Sequence, residues 1–228
     1  MSLRRNKLPL GAALAIAGAL AATLPLGADP KPDELVASSQ KTLEHFVQDP
    51  DLSWFRDHVH DAKAVLIAPK VVKAGFILGG SGGHGLLLYL DPDKDIWVGP
   101  AFYSLATASV GFQAGVEVSE LITLVMTEKG LNALLSSSFK IGGDASVAVG
   151  PVGAGAHTNV VADLITFARS KGLYGGLNLD GTVVKVAGDW NGDYYGRAAS
   201  PTDILIRQKV TTHRADSLRK QLASASRP

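Results

Sequence analysis

The chain contains no cysteine. That excludes disulfides, thiol catalysis, cysteine-based metal sites and lipid attachment through a cysteine thioether, so the fold must be held by packing and hydrogen bonds. An excess of charge of one sign is also missing: 22 Lys and Arg against 21 Asp and Glu leave a formal net of +1 over 228 residues. A general nucleic-acid binder would show a strong basic balance, so no nucleic-acid partner is expected. No P-loop, zincin or kinase signature occurs, and no enzyme class draws support from a motif. We expect no cofactor and no bound metal. Aromatic residues are sparse at 7%, yet hydrophobic residues reach 46%, enough to bury a real core in one ordinary domain.

What is present begins with Arg4, Arg5 and Lys7 ahead of an uncharged apolar run from Leu8 to Leu26. That order, with small residues at Ala19 and Ala21 or at Gly27-Ala28 as cleavage sites, is the layout of a secretory signal peptide. Pro9, Pro25 and the alanine content weigh against a retained membrane helix. Cleavage after Ala28 removes three basic residues and no acid, leaving 22 − 3 = 19 against 21, a net of −2. The expectation is a signal peptide over 1–28 and a single domain over 29–228, periplasmic or otherwise exported.

Leu35, Val36, Leu43, Phe46 and Val47 recur at helical spacing behind a possible Asp33 cap, and Leu52, Phe55, Val59 and Ala62 continue that period as a second helix. After Pro69 the texture changes to short apolar runs punctuated by glycine, which suits strands and turns. In "SVGFQAGVEVS" the residues Val110, Phe112, Ala114, Val116 and Val118 alternate with lighter ones, which reads as one strand with one buried face. Asp180-Gly181 in "LNLDGTVVKV" is a hairpin signal, since both central positions of a type I′ turn need positive φ. A second hairpin fits "LLLYLDPDKDIWVG", and short helices are expected near 131–135, 202–208 and 214–223. The predicted fold class is α+β: N-terminal helices on a curved, mainly antiparallel, glycine-rich sheet, with short helices late in the chain.

The stretch "GGSGGHG" satisfies two chemical patterns at once. Gly79, Ser81 and Gly83 spell a nucleophile elbow, and Gly80, Gly82 and Gly85 a dinucleotide loop. Both need a helix directly afterwards, and "LLLYLDPD" is too short and too uniformly apolar to supply one. The expectation is a glycine-rich turn between antiparallel strands, leaving a serine hydrolase built on Ser81 as a minor alternative. In "RDHVHDAK", His58 and His60 point about 200° apart on a helix and cannot share one metal, while Asp57 and Asp61 share a face as commonly solvated carboxylates do. His84 and His157 stand alone in glycine-rich surroundings.

Two basic pairs remain, Lys70 with Lys73 in "APKVVKAGF" and Arg169 with Lys171 in "FARSKGLYGG". Each is expected at the start of an apolar, aromatic-containing strand segment, where a cation can meet anionic headgroups. An ordinary solvated charge pair is the alternative.

The segments "AKAVLIAPKVVKAGFILGGSGGHGLLL", "ASVGFQAGVEVSELITLVMTEKGLNALL", "GGDASVAVGPVGA", "RSKGLYGGLNLDGTVVK" and "DWNGDYYG", spanning Ala62 to Gly196, resemble the SYLF domain, a lipid-binding, actin-regulator-associated module also found in bacterial exported proteins. The resemblance implies a non-enzymatic module that binds membrane lipids, phosphoinositides in eukaryotic members, and a structural glycine loop. For an exported branch it implies anionic phospholipid or an envelope membrane surface as partner, with a structural protein acting through a protein partner as the alternative. Eukaryotic members place lipid contact partly in a basic amphipathic N-terminal segment, whereas "DPKPDELVASSQKTLEHF" offers Lys31 and Lys41 among four acids. We therefore assign headgroup contact to Lys70, Lys73, Arg169 and Lys171.

Overall fold

A computed structural model describes residues 31–75, 78–110, 115–153, 160–170, 173–174 and 181–227. Residues 1–28, expected to be a signal peptide, together with Phe112 and Ala114 of the alternating stretch, His157, Lys171 and Asp180, lie outside these residues.

Helix α1 (Pro32–Gln48) starts with proline at its first turn, where the missing N–H costs nothing, and Lys31 rather than Asp33 occupies the cap position. Asp33 sits in the first turn, favourable beside the helix dipole, and takes the Arg214 guanidinium, whose Nε donates to Oδ1 at 2.8 Å. Leu35, Leu43 and Phe46 are buried at helical spacing, each worth about 1.5–3 kcal/mol of apolar burial. A 3-10 turn at Pro50–Leu52 leads into α2 (Ser53–His58), which buries Trp54 and Phe55, and a second turn covers Val59–Asp61. The expected second helix is thus one short helix between two tighter turns.

Among the described residues nine strands follow: β1 (Ala64–Gly75), β2 (Leu78–Asp91), β3 (Ile96–Val110), β4 (Gly115–Val125), β5 (Ser138–Lys140), β6 (Val147–Val149), β7 (Leu164–Ser170), β8 (Leu173–Tyr174) and β9 (Val183–Val186). They form one sheet in the order β5-β9-β3-β2-β1-β4-β7-β6, with β8 on β7. All pairs are antiparallel except β6 with β7, so the predicted α+β class with a mainly antiparallel sheet is observed. The remaining helices are α3 (Glu128–Leu135), α4 (Gly188–Tyr195) and α5 (Asp216–Ala225), with a π-type turn at Thr202–Ile206.

Helices and turns pack on both faces of the sheet. Val65, Ile67, Leu86, Leu88, Ile122 and Phe167 pack with α1, α2, α4 and α5. Leu66, Leu87, Tyr103, Leu121 and Leu164 pack on the opposite face with α3 and the 202–206 turn. Alternate residues of each strand feed the two layers, as the pleat requires.

Two expectations are corrected here. The "GGSGGHG" stretch is not a turn; it lies inside β2, paired with β1 on one side and β3 on the other. Gly83 and Gly85 answer a bulge in β1, where Ala68 and Pro69 both stand opposite Gly85, between the pairs Ile67↔Leu86 and Lys70↔His84. Proline tolerates this position because it has no N–H to donate. The bulge presses β1 backbone onto β2: a Cβ on Gly83 would come within 3 Å of the Lys70 carbonyl oxygen, and one on Gly85 would stand 3.0 Å from that of Ile67. The stretch "SVGFQAGVEVS" is likewise not one strand. It contains the end of β3 and the start of β4, which are not neighbours, and Val116 and Val118 are 58% and 44% exposed rather than buried.

Candidate functional site

Register, not sequence proximity, decides which of the candidate residues meet. Lys70 pairs with His84, which pairs with Ser104, which pairs with Lys185. Residues paired across strands project from the same face, and Leu86 and Phe102 place this row on the α1 face. On the other side of β1, Glu120 of β4 pairs with Arg169 of β7, and Phe167 two residues before Arg169 marks the same face. One transverse row on the α1 face therefore holds Lys185, Ser104, His84, Lys70, Glu120 and Arg169. Lys70 and Lys185 are exposed, and His84 is half-buried with its ring stacked on Trp190 of α4 at 4.2 Å between centroids and 9° between planes.

Lys73 does not join this row. It pairs with Ser81 and Glu117 and projects from the α3 face with Val71. Lys171 lies outside the described residues. Of the four predicted headgroup contacts, Lys70 and Arg169 share a face and Lys73 has the other. Neither basic residue begins its strand: Lys70 lies within β1, and Arg169 stands one residue from the end of β7.

Glu120 is the acid within the row and a hub. Its Oε1 accepts a hydrogen bond from Thr42 Oγ1 at 2.9 Å and lies 3.2 Å from His45 Nδ1, while Oε2 accepts from Arg169 Nη1 at 3.3 Å. This ties the last turns of α1 to the sheet. Arg169 Nε is buried and finds no hydrogen-bond partner among the described residues.

Beyond the row the two faces of the sheet diverge. On the α1 face the next paired positions are Val183, Ala106, Gly82, Val72 and Val118, followed by Ala108, Gly80, Ala74 and Val116. All are apolar, and Val183, like Val118, is 44% exposed. On the α3 face the same strands carry Lys73, Ser81, Thr107, Glu117, Ser119 and Ser170. Thr107 and Thr182 hydroxyls bond at 2.6 Å, and Ser119 donates to Ser170 at 2.6 Å, which donates to Glu117 Oε1 at 2.6 Å. The distal sheet is thus amphipathic: a basic row and an apolar floor on one side, a hydrogen-bonded polar lattice on the other. Val116 and Val118, read from the alternation as a buried strand face, lie on this open floor.

Ser81 belongs to the polar lattice, in mid-strand, with β2 continuing through Asp91. The strand–turn–helix of a nucleophile elbow does not exist around it. In the other histidine cluster, His58 Nδ1 stands 2.8 Å from the Trp54 carbonyl oxygen and its ring stacks on Trp54, whereas His60 Nε2 lies 3.3 Å from Asp61.

Lys185, His84, Glu120 and Asn191 were not singled out as partners by sequence reasoning. Asn191 is fully buried and clamps the β3 backbone at Phe102, accepting from its N–H at 2.9 Å and donating to its C=O at 3.3 Å. This explains the asparagine of "DWNGDYYG" and seats α4, and with it Trp190, above the row.

Comparison with known proteins matches residues 106–225 to the Ysc84 family model, described as "Las17-binding protein actin regulator". The chain is 31% identical over 159 residues to "SH3 domain-containing YSC84-like protein 1" of Bos taurus, covering 68% of this chain and 46% of that protein. It is 30% identical over 172 residues to the Rattus norvegicus protein of the same name, covering 73% and 50%, and 28% identical over 161 residues to "Protein YSC84" of Saccharomyces cerevisiae, covering 68% and 34%. The chain spans at most half the length of these relatives.

Proposed function

The chain belongs to the Ysc84 (SYLF) family, and from that premise we propose that it is a non-enzymatic module that docks on anionic phospholipid surfaces with the α1 face of its distal sheet. The observation that carries this reading is the row in which the exposed Lys70 and Lys185, with His84 between them, and Arg169, paired with Glu120, border an exposed apolar floor. Each basic residue near an anionic surface contributes about 1 kcal/mol. With a formal net of only +1 for the whole chain, attraction comes from this local row and not from the protein's overall charge. An N-terminal export signal over 1–28 is part of the proposal and sets the surface as an envelope membrane. Lys171, which follows Arg169 by two residues, is included as a headgroup contact, and Lys73 is assigned to solvent on the α3 face.

The test is flotation of the 29–228 chain with phosphatidylglycerol vesicles. Binding is expected with these and not with phosphatidylcholine, and it should fall as salt approaches 1 M, where the Debye length shrinks from about 8 to about 3 Å. Lys70→Gln with Lys185→Gln should reduce flotation roughly tenfold or more, about two charges' worth, while Lys73→Gln leaves it unchanged. Flotation that is indifferent to the first pair contradicts the assignment. The family description, a Las17-binding protein, favours a protein partner as the second reading. Pull-down from envelope extract that survives loss of vesicle binding would support that reading instead.

A further inference from the structure

We propose that the apolar floor beside the basic row seats one acyl chain of a bound anionic phospholipid, so that the protein holds an individual lipid and not only a charged surface. This rests on the surface-docking reading and goes further, because surface attraction needs the cations but has no use for a trough. Charge complementarity fixes the occupant: an amphiphile needs an anionic group at Lys70 and Lys185 and a hydrocarbon tail along Val72, Ala74, Ala106, Ala108, Val116 and Val118, and these two zones are adjacent in register on one face. On the opposite side of the same strands Val71, Leu105 and Val184 are buried in the core and the positions beyond them form a polar lattice, so the exposed apolar positions of these rows lie on the side the cations border.

The floor's shape follows from side-chain size. In the row Val183–Ala106–Gly82–Val72–Val118 the centre is glycine and the margins are valine. The strands either side of β2 lie about 9–10 Å apart, twice the interstrand spacing, wide enough for one hydrocarbon chain over glycine. Packing does not demand glycine at the centre. A Cβ on Gly82 would meet only the Leu105 carbonyl oxygen at 3.6 Å, an ordinary contact, whereas Gly83 and Gly85 on the opposite face are forced by the bulge. Gly82 leaves an opening that the fold itself does not require.

The experiment is calorimetric titration of the 29–228 chain with hexyl, octyl and decyl phosphate, each below its micelle threshold, with inorganic phosphate as the headgroup-only arm and vesicle flotation in parallel. The expected result is saturable one-to-one binding that strengthens about two- to fourfold per added methylene, fourfold being full burial at about 0.8 kcal/mol, with no measurable binding of inorganic phosphate. Gly82→Leu, which fills the trough, and Val118→Asp, at an exposed position that cannot threaten the core, should each abolish decyl phosphate binding while the melting transition is retained. Absence of saturable binding in the wild type overturns the inference, and if flotation persists, the surface reading survives it. Saturable binding without flotation keeps the seat and removes the surface reading. Binding unchanged in both variants places the chain elsewhere and overturns the proposal. A wild-type dimer that Val118→Asp splits, with no alkyl phosphate bound, makes a second copy the occupant and also overturns it.

Discussion

Alanine at Gly83 and at Gly82, neighbours on β2, should have opposite effects on stability. At Gly83 the new Cβ falls within 3 Å of the Lys70 carbonyl oxygen, 3.2 Å from Val71 Cα and 3.3 Å from Lys70 C. The obstruction is β1 backbone, so no side chain can rotate away and β1 must shift at the Pro69 bulge. Overpacking of this kind costs about 1–3 kcal/mol, and here the upper end applies. Removing glycine's unfolded-state freedom returns about 0.4–1 kcal/mol, which leaves a net loss of about 2 kcal/mol. At Gly82 the same entropic gain meets only the 3.6 Å contact with Leu105 O, so alanine should be neutral or stabilising by up to about 1 kcal/mol. For a domain near 200 residues, each kcal/mol moves Tm by about 2–4 °C, so the two variants should melt roughly 5–10 °C apart, Gly83→Ala below and Gly82→Ala at or above wild type. Scanning calorimetry reads this directly. Equal melting temperatures would refute the bulge as the reason for glycine.

Asn191→Ala should cost about 2–3 kcal/mol by chemical denaturation, because the buried Phe102 N–H loses its acceptor and a small cavity opens, while Ala187 N–H still satisfies the Phe102 carbonyl. Asp163 is held well below the usual carboxylate range by hydrogen bonds from the Thr127 hydroxyl and from the Ser146 N–H and hydroxyl, with Lys129 nearby. Its folded value lies below its unfolded one, so its stabilisation is complete above about pH 4 and is lost as pH falls from there through the folded value. The Tm difference between wild type and Asp163→Asn should therefore be constant from pH 7 to about 4 and narrow only in stronger acid. A gap that narrows between pH 7 and 5 would contradict this.

Helical periodicity made α1 and α5 legible, and the turn residues around Asp93 placed the β2–β3 hairpin, because these depend on neighbours in sequence. The glycine stretch misled because glycine is a turn signal locally, whereas here strand pairing on both sides of β2 overrides local preference. The alternating stretch misled for a different reason: a period of two continues across two strands, and the pattern does not say which face is covered. The basic row assembles through β9, β3, β2 and β1, an order that no local signal carries. One signal was available, since Lys70 and Lys73 are three apart, and an odd spacing within a strand puts side chains on opposite faces.

The chain's lack of cysteine makes the central claim directly measurable. Val118→Cys and Glu117→Cys, adjacent exposed positions on opposite faces of β4, each carry a polarity-sensitive fluorophore, and phosphatidylglycerol vesicles are added. The account predicts a blue shift and protection from aqueous quencher at position 118, with little change at 117. A shift at 117 alone, or the same response at both, would contradict the assignment of the α1 face as the docking surface.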